Sequence, residues 1–409
     1  MRCDANNNRM IMYANSITNY SAVRAKTIIP LTGEGVARGI DALTRSPARI
    51  DDGVILARNG IILDVESYKD YTRRPNVPTA AYDLGDVILV PGLVNCHTHL
   101  EISHMAGKTV CGKGFADWVA SLIALDAKTP DSAEDALHKA VASLISYGTA
   151  GLGDISSRMP REVLSATQSS GIDSRIFCEI IGHGETAVAG SVATAKADTS
   201  FSLAGHAFYT TSEEAMVRAK QWCTAQLRPF SLHLAEHPDE VQCLRDASGK
   251  LYDQLRIRIL PPSWRAPKMS PVQYAASLGL LTSGTVAVHC VQCDKTDIAT
   301  LATGSAAVCL CPRSNACIAV GEAPAAEFAA RGILLCLGTD SLASNTDLDV
   351  WKEAEYFLGK SILPANALLR MATVNGAAVL GLHDQVGRLE KGMRFCYKTF
   401  PNEMNAFFR

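Results

Sequence analysis

The sequence alternates short apolar runs with segments of helical length, and this alternation constrains the fold more than any other feature of the 409-residue chain. Between Val87 and Asp340 we find eight such β-like runs. Strands that alternate with helices predict an α/β fold with a parallel sheet, and eight units predict closure into a (β/α)8 TIM barrel. The predicted strands are Val87–His97, Thr149–Ile155, Arg175–Gly182, Ser202–Thr210, Phe230–Glu236, Thr285–Cys290, Ala306–Pro312 and Ile333–Asp340.

Side chains able to bind a metal stand at or near the carboxyl ends of four of these runs. His97 and His99 are one residue apart, so on an extended chain they share one face. His233, His289 and Asp340 follow later runs. Taken singly, His233 or His289 also fits an ordinary core histidine. Because barrels of this kind assemble their active sites at the carboxyl ends of the strands, the ordered set predicts one site.

Five short motifs resemble the amidohydrolase superfamily, and within it the branch of metal-dependent deaminases and chlorohydrolases. They occur in the expected order, and the resemblance extends from about Arg24 to about Gly392, which makes it more specific than any single motif. The motifs are Pro91-Gly92-Leu93-Val94-Asn95-Cys96-His97-Thr98-His99, His233-Leu234-Ala235-Glu236, Cys311-Pro312-Arg313-Ser314-Asn315, Gly338-Thr339-Asp340-Ser341 and Asn375-Gly376-Ala377.

The resemblance implies a metal site in which His97 and His99 come from strand 1, His233 from strand 5 and Asp340 from strand 8. Three imidazoles, one carboxylate and a water suit Zn²⁺, our first choice, and equally suit Fe²⁺. Some members of the superfamily hold two metals bridged by a carbamylated lysine from strand 4. The predicted strand 4 contains no lysine, so we expect one divalent metal.

The expected chemistry is hydrolytic deamination of an aminated heterocycle. A bound divalent ion lowers the pKa of its water to near 7 and so supplies a nucleophile. Glu236, sheltered in an apolar pocket, would protonate the ring nitrogen. Asp340 would bind the metal through one oxygen and accept the water's proton with the other, and His289, by the resemblance, would orient the nucleophile. The alternative for Glu236 is a surface ion pair.

Five further residues are candidates for substrate binding. His206 stands where the family often has a substrate-contacting loop, although Gly205 and Phe208 replace its prolines. Glu101 could accept hydrogen bonds from a sugar, and Trp118, with Phe115, could cover a flat ring or belong to a helix core. The segment from Glu101 to Trp118 resembles deaminases acting on 6-aminodeoxyfutalosine, an adenine nucleoside with a carboxyphenyl group. The remaining candidates, Arg158 and Arg313, could meet that carboxylate.

Alternatively, Arg313 could have a structural role in the turn formed by Cys311-Pro312-Arg313-Ser314-Asn315. Two other functions stay open: a different hydrolysis on the same site, such as dechlorination of a triazine or opening of a cyclic amide, and a non-catalytic binding protein. The presence of all proposed ligands speaks against the last.

The chain ends are predicted to form a second domain beside the barrel. Residues 21–89 contain short β-like runs broken by hairpin signals at Asp52-Gly53 and Asn59-Gly60. By the resemblance, this segment and residues 386–409 form a small β-sandwich, and residues 90–385 form the metal-dependent barrel. The family usually carries Ala-Asp where this chain reads Met393-Arg394-Phe395-Cys396, which leaves the docking of the C-terminal tail open. We expect residues 1–20, Asn-rich and aperiodic, to be a poorly ordered extension.

Composition predicts a soluble cytoplasmic protein, and the resemblance implies a small-molecule substrate. The net charge is -2 and the pI about 6.6, so there is no basic field to hold nucleic acid or an anionic membrane. Neither a membrane span nor a secretory core is found. The 13 cysteines, several of them in apolar runs, are expected to be reduced thiols. A homodimer is compatible with the sequence, which does not decide the oligomeric state.

Overall fold

The computed structural model describes residues 20–78, 80–126, 133–182, 185–258, 260–402, 404 and 408. The strands are β1 (Tyr20–Ile28), β2 (Ile50–Arg58), β3 (Ile61–Ser67), β4 (Tyr82–Asp83), β5 (Val87–Pro91), β6 (Leu93–Thr98), β7 (Thr149–Ser156), β8 (Asp173–Ile180), β9 (Phe201–Gly205), β10 (Phe230–Leu234), β11 (Thr285–His289), β12 (Ala307–Leu310), β13 (Leu334–Leu337) and β14 (Tyr397–Pro401). The expected extension, residues 1–20, falls almost wholly outside the described residues.

The helices follow the strands in the order that the sequence predicts for a barrel. They are α1 (Gly39–Thr44), α2 (Tyr68–Tyr71), α3 (Phe115–Asp126), α4 (Ala133–Ser146), α5 (Pro160–Ser169), α6 (Glu185–Ala195), α7 (Glu213–Ala225), α8 (Pro238–Asp246), α9 (Lys250–Arg258), α10 (Pro271–Ser277), α11 (Lys295–Gly304), α12 (Pro312–Ile318), α13 (Ala325–Ala330), α14 (Val350–Gly359), α15 (Ala365–Met371) and α16 (Val374–Leu380); a 3₁₀-helix spans Leu100–Met105.

Strands β6 to β13 form an eight-stranded parallel sheet in sequence order, so the predicted TIM barrel is confirmed. The sheet nearly closes where β13 approaches β6. There the Asn95 side chain accepts from the backbone N–H of Thr339 and donates to its hydroxyl, and the Asp340 N–H donates to the His97 carbonyl at 2.9 Å. These bonds fix the two chain segments that carry His97 and Asp340 against each other.

The main core lies between the barrel strands and the surrounding helices. On α4, for example, Leu137, Val141 and Leu144 are buried at helical spacing and cover the sheet. Helix α11 begins at a capping box in which Asp294 accepts from the N–H of Asp297 and the Asp297 carboxylate accepts in return. The helices therefore hold the strands in place while the carboxyl ends of the strands stay accessible.

The predicted second β-unit from both chain ends is confirmed as a six-stranded sheet. Its order is β14-β5-β1-β2-β3, with β4 beside β1. The C-terminal strand β14 pairs antiparallel with β5, from Tyr397 opposite Pro91 to Pro401 opposite Val87. The atypical segment before β14 is anchored by backbone bonds, including the Phe395 N–H to the Gly60 carbonyl at 2.8 Å. The tail thus docks without the Ala-Asp pair.

One predicted strand proves to be two. The run Val87–His97 contains β5, which belongs to the small sheet, and β6, which opens the barrel. The chain changes sheets at Gly92, where an added Cβ would come within 2.6 Å of the Ala150 Cβ and 2.7 Å of the Cys396 sulfur. Because both strands are buried, their apolar pattern is continuous and hides the crossover.

The expectation of reduced thiols throughout is wrong for one pair, since Cys111 and Cys317 form a disulfide across 206 positions. Cys111 is exposed and lies outside the apolar runs of the sequence. Ten other cysteines of the described chain are free, and most are buried, as expected for thiols that act as small hydrophobes. No helix in the described part of the chain has the length and apolar character needed to cross a membrane.

Candidate metal and catalytic site

The carboxyl ends of the barrel strands bring the predicted metal ligands together. The Nε2 atoms of His99 and His233 are 3.3 Å apart. The Asp340 Oδ1 lies 3.6 Å from the Nε2 of His97 and 3.5 Å from that of His99. Among the described residues, the three histidines form a group whose ligand atoms all lie within 4.8 Å of one another. One ion can therefore contact all four side chains.

The state of these side chains fits a divalent metal. Both ring nitrogens of His97 are buried and have no hydrogen-bond partner within the described chain, which is costly unless something else binds them. Burial lowers the pKa of His97 to about 4 and that of His233 well below its usual value. The rings are consequently neutral near pH 7, which is the form that ligates metal.

Asp340 is held by two hydroxyl groups. Ser314 donates to its Oδ2 at 2.6 Å and Ser344 at 2.9 Å, so Oδ1 is the oxygen that faces the histidines. Burial opposes charge on Asp340, but its interactions with His97 and His99 outweigh burial and hold its pKa well below the ordinary range. From the sequence we expected the oxygen that does not bind the metal to accept the water's proton. In the structure this oxygen, Oδ2, accepts hydrogen bonds from the two serines.

Positive φ values mark the points where strands deliver side chains to the site. Asp340 has φ 60°, His289 φ 74° and Ala235, between His233 and Glu236, φ 52°. Residues with a Cβ rarely adopt this conformation, and it persists where the surroundings enforce it. At each of these positions the chain leaves the strand direction and turns over the mouth of the barrel.

Glu236 and His289 lie side by side next to the metal ligands. The Glu236 Oε1 is 3.6 Å from the His289 Nε2. The His289 Nδ1 lies 2.9 Å from the Asn315 Oδ1, an acceptor, so we assign the hydrogen to Nδ1, which leaves the Nε2 lone pair facing Glu236. Burial, with a smaller contribution from Asp340, raises the pKa of Glu236 well above its usual value. A neutral carboxyl group thus adjoins the ligand cluster, as expected for a proton donor.

Glu240 fixes the turn that carries Glu236. Its carboxylate accepts from the N–H of Ala235 at 3.1 Å and of Glu236 at 2.8 Å. The neighbouring His237 is fully buried, accepts from the Glu240 N–H at 3.1 Å and stacks on Phe115 at 3.6 Å between ring centroids. Neither His237 nor Glu240 was predicted from the sequence; the helix start at Pro238 beside them was the available signal.

A cavity of about 320 Å³ opens over the ligand cluster. Four of the five predicted substrate-binding residues line it: Glu101, Trp118, Arg158 and His206. Phe115 also lines it although it is 5% exposed, so the two aromatic residues are both packed and adjacent to the cavity. The Trp118 indole donates to the Ala343 carbonyl at 3.0 Å, which fixes its orientation.

The structure does not bring Arg313 to this cavity. Its guanidinium pairs with Asp347 at 2.8 Å and Glu353 at 3.4 Å, and its backbone N–H also donates to Glu353. Asp347 and Glu353 follow β13 and lie on or near α14. The prediction that Arg313 binds substrate is therefore corrected to a structural role, because its guanidinium is paired with these two carboxyl groups.

Glu101 is held within the protein by five hydrogen bonds. Donors to its carboxylate are the hydroxyl groups of Ser156 and Ser157 and the backbone N–H groups of Ser157, Arg158 and Met159. Burial opposes ionisation, but these bonds lower the pKa of Glu101 below its usual value. Glu101 therefore fixes the turn after β7, and any bond to a substrate adds to that task.

Sequence reasoning missed one ionisable residue that lines the cavity. Glu179, near the end of β8, is 8% exposed, and its Oε1 has no hydrogen-bond partner among the described residues. Burial, followed by the charges of Glu101 and Asp154, raises the pKa of Glu179 to about 8. Its ligand atom and those of His206 and His233 lie within 4.8 Å of one another. Its place in an apolar run, Phe177 to Ile180, concealed it.

Comparison with known proteins agrees with this architecture. The model of a family described as Amidohydrolase family matches residues 88–400. A curated relative from Teredinibacter turnerae, named 5-methylthioadenosine/S-adenosylhomocysteine deaminase, is 29% identical over 375 residues, which cover 84% of this chain and 77% of the relative.

Solved structures of similar fold cover almost the whole chain. An adenosine deaminase of Xanthomonas campestris with bound zinc aligns with a TM-score of 0.75 at 22% identity, covering 93% of this chain and 84% of that one. The Helicobacter pylori aminofutalosine deaminase in complex with methylthio-coformycin aligns with a TM-score of 0.78 at 19% identity, covering 94% of both chains. At these identities the likeness establishes the fold.

Proposed function

Because the chain belongs to the amidohydrolase family, as its motifs predicted, we propose that it hydrolyses the amino group from an adenine nucleoside and releases ammonia. Family membership and deaminase relatives make it a hydrolase that acts on carbon–nitrogen bonds. The observation that carries the deaminase proposal is the neutral, buried carboxyl group of Glu236 beside His289 and the ligand cluster. Attack on an aromatic ring needs a proton for the ring nitrogen, and this group holds one.

His97, His99, His233 and Asp340 would hold a divalent ion, for which we propose zinc, with Fe²⁺ as the alternative. When bound, the ion lowers the pKa of water and thereby provides a nucleophile near neutral pH. The His289 Nε2 would accept a hydrogen bond from that water and direct it at the ring carbon. The carboxylate of Asp340 would also take a proton from it, while Ser314 and Ser344 hold the carboxylate in place through Oδ2.

The proton balance assigns one task to each carboxyl group. As the new C–O bond forms, the proton of Glu236 moves to the ring nitrogen. The proton taken up by Asp340 then passes to the exocyclic amino group, the C–N bond breaks, and ammonia leaves. The ring nitrogen retains its hydrogen in the product, and Glu236 regains a proton from the second hydrogen of the attacking water.

We further propose that the substrate carries an apolar group on its sugar. Aliphatic side chains form part of the cavity wall beside the aromatic pair, among them Leu122, Ile123 and Ile181. Ile123 and Ile181 are 48% and 47% exposed, and covering such surface favours binding by about 25 cal/mol per Å². The relative named above acts on 5-methylthioadenosine. 6-Aminodeoxyfutalosine is the second candidate, because Arg158 on the cavity wall could pair with its carboxylate.

The test is ammonia release by metal-replete protein from adenosine, 5-methylthioadenosine, S-adenosylhomocysteine and 6-aminodeoxyfutalosine, with a chlorinated triazine and a cyclic amide as alternative substrates. We expect turnover of at least one adenine nucleoside and none of the last two compounds. Arg158→Ala should reduce kcat/KM for 6-aminodeoxyfutalosine and spare 5-methylthioadenosine. Absence of ammonia from every nucleoside would overturn the proposal.

A further inference from the structure

We propose that Glu179 and His206, together with His233, form a second divalent-cation position in the cavity, which overlaps the main metal site and the space for substrate. Within the described chain, two groups of side chains bring three metal-ligating atoms within 4.8 Å of one another: the ligand triad of His97, His99 and His233, and this second group. A carboxylate oxygen and two imidazole nitrogens are a donor set that zinc accepts.

The orientation of each side chain leaves a donor atom facing the cavity. The His206 Nδ1 is 2.6 Å from the Thr210 hydroxyl, so its Nε2 remains for a ligand. The His233 Nδ1 lies 3.3 Å from the His206 carbonyl, and its Nε2 faces the cavity as well. All three residues line the cavity, and the rings of His206 and His233 are 4.9 Å apart.

The carboxyl group of Glu179 gives separate evidence for a bound cation. It is nine-tenths buried, yet its Oε1 has no hydrogen-bond partner in the described part of the chain. The nearby carboxyl groups of Glu101 and Asp154 oppose ionisation of Glu179. A buried, unpaired carboxyl oxygen beside two others is unfavourable by itself, and a cation removes that cost.

His233 offers one free ring nitrogen to both positions, so they cannot both be fully coordinated. With an ion in the main site, a second ion would keep Glu179 and His206 and complete its shell with water. It should therefore bind more weakly than the first. Because the second position lies within the substrate cavity, excess zinc should compete with substrate, which would make activity depend on the free zinc concentration.

The direct test is a zinc titration of the protein already loaded with one equivalent, with bound zinc measured by equilibrium dialysis and atomic absorption. Wild type should bind a second, weaker equivalent. Glu179→Gln and His206→Asn should each keep the first equivalent, which reports intact folding, and weaken the second by about 10- to 100-fold or more. The exposed Asp117→Asn variant is the matched carboxylate control and should bind both. Saturation of wild type at one equivalent, or unchanged second binding in both variants, overturns the proposal.

Inhibition of turnover by added zinc is a second test, which rests on the proposed function as well. In wild type, added zinc should raise the apparent KM for the adenine nucleoside and leave kcat unchanged, and Glu179→Gln should need more zinc for the same effect. Because zinc stoichiometry is measured without substrate, a chain that binds two ions but deaminates no nucleoside would disprove the proposed function and leave the second site standing.

Discussion

At the residue scale, the site depends on how burial changes the charge of individual groups. Burial lowers the pKa of His97 to about 4 and raises that of Glu236, whereas the pKa of Asp340, beside His97 and His99, lies well below its ordinary range. Two carboxyl groups at the mouth of one barrel therefore have opposite states near neutral pH. Such a separation supports the proposed roles of Glu236 as proton donor and Asp340 as anionic ligand.

Glu236→Gln tests the first assignment. The amide preserves the size of the side chain and cannot transfer the proton, so kcat should fall about 10²- to 10⁴-fold. Metal content should stay at that of wild type, because Glu236 is not a proposed ligand. Turnover and zinc content of the purified variant are the two measurements. A glutamine variant with the wild-type kcat would remove Glu236 from the mechanism.

Asp340→Ala tests the second assignment and should lose both metal and turnover. The substitution removes the only carboxylate proposed for the main metal site and the carboxylate acceptor of the hydroxyl groups of Ser314 and Ser344. Zinc bound per chain after dialysis measures the first effect, and ammonia release measures the second. Retention of a full equivalent of zinc, also when Glu179→Gln is added, would show that the three histidines suffice.

The sequence predicted these ligands because each follows an apolar run at the same end of its strand. It could not predict which side chains pair off elsewhere. Arg313 meets Asp347 and Glu353, 34 and 40 positions away, and no local pattern encodes that encounter. Glu179 was missed because it stands inside an apolar run. The residues next to it in the sequence do not show whether its side chain faces the core or a cavity.

At the scale of elements, helix α3 and the loop before it cover the cavity. Phe115 and Trp118 of this helix line the cavity, and the Cys111–Cys317 disulfide ties the loop to the end of α12. The N–H of Gly112 also donates to the Cys317 carbonyl at 2.7 Å. The disulfide was beyond sequence reasoning, because odd cysteine number and buried thiols favoured the reduced state.

We expect the double replacement Cys111→Ser with Cys317→Ser to lower the free energy of unfolding by about 2–4 kcal/mol. It should also raise KM more than it lowers kcat, since α3 lines the proposed substrate cavity and carries none of the proposed metal ligands or catalytic residues. Urea denaturation and steady-state kinetics test the two statements. Cys293→Ser, at a free and half-buried thiol, is the control. Equal stability of the double variant and wild type would show that the disulfide between the loop before α3 and the end of α12 does not stabilise the protein.

At the scale of the whole molecule, the periodic pattern predicted the barrel and the resemblance implied the small β-unit from both chain ends, but the join between them was not predicted. Part of that join is Arg370 on α15, which is 1% exposed and pairs through two nitrogens with Glu34, at 2.7 and 2.9 Å. Asn375 adds bonds to the N–H and carbonyl of Ala37. Partners some 340 positions apart become neighbours only when both chain ends have folded.

Glu34→Ala should destabilise the protein by about 3 kcal/mol, because it leaves the guanidinium of Arg370 buried and unpaired. The value lies at the low end for a broken buried pair, since Arg370 keeps its bonds to the carbonyls of Leu43 and Asn366. Glu322→Ala breaks the exposed pair with Lys360 at 2.9 Å and should leave the free energy of unfolding nearly unchanged. Urea denaturation of both variants makes the comparison. If the two lost equal stability, the join between barrel and sheet would not depend on this buried ion pair, and packing of the apolar side chains around it would have to supply the attachment.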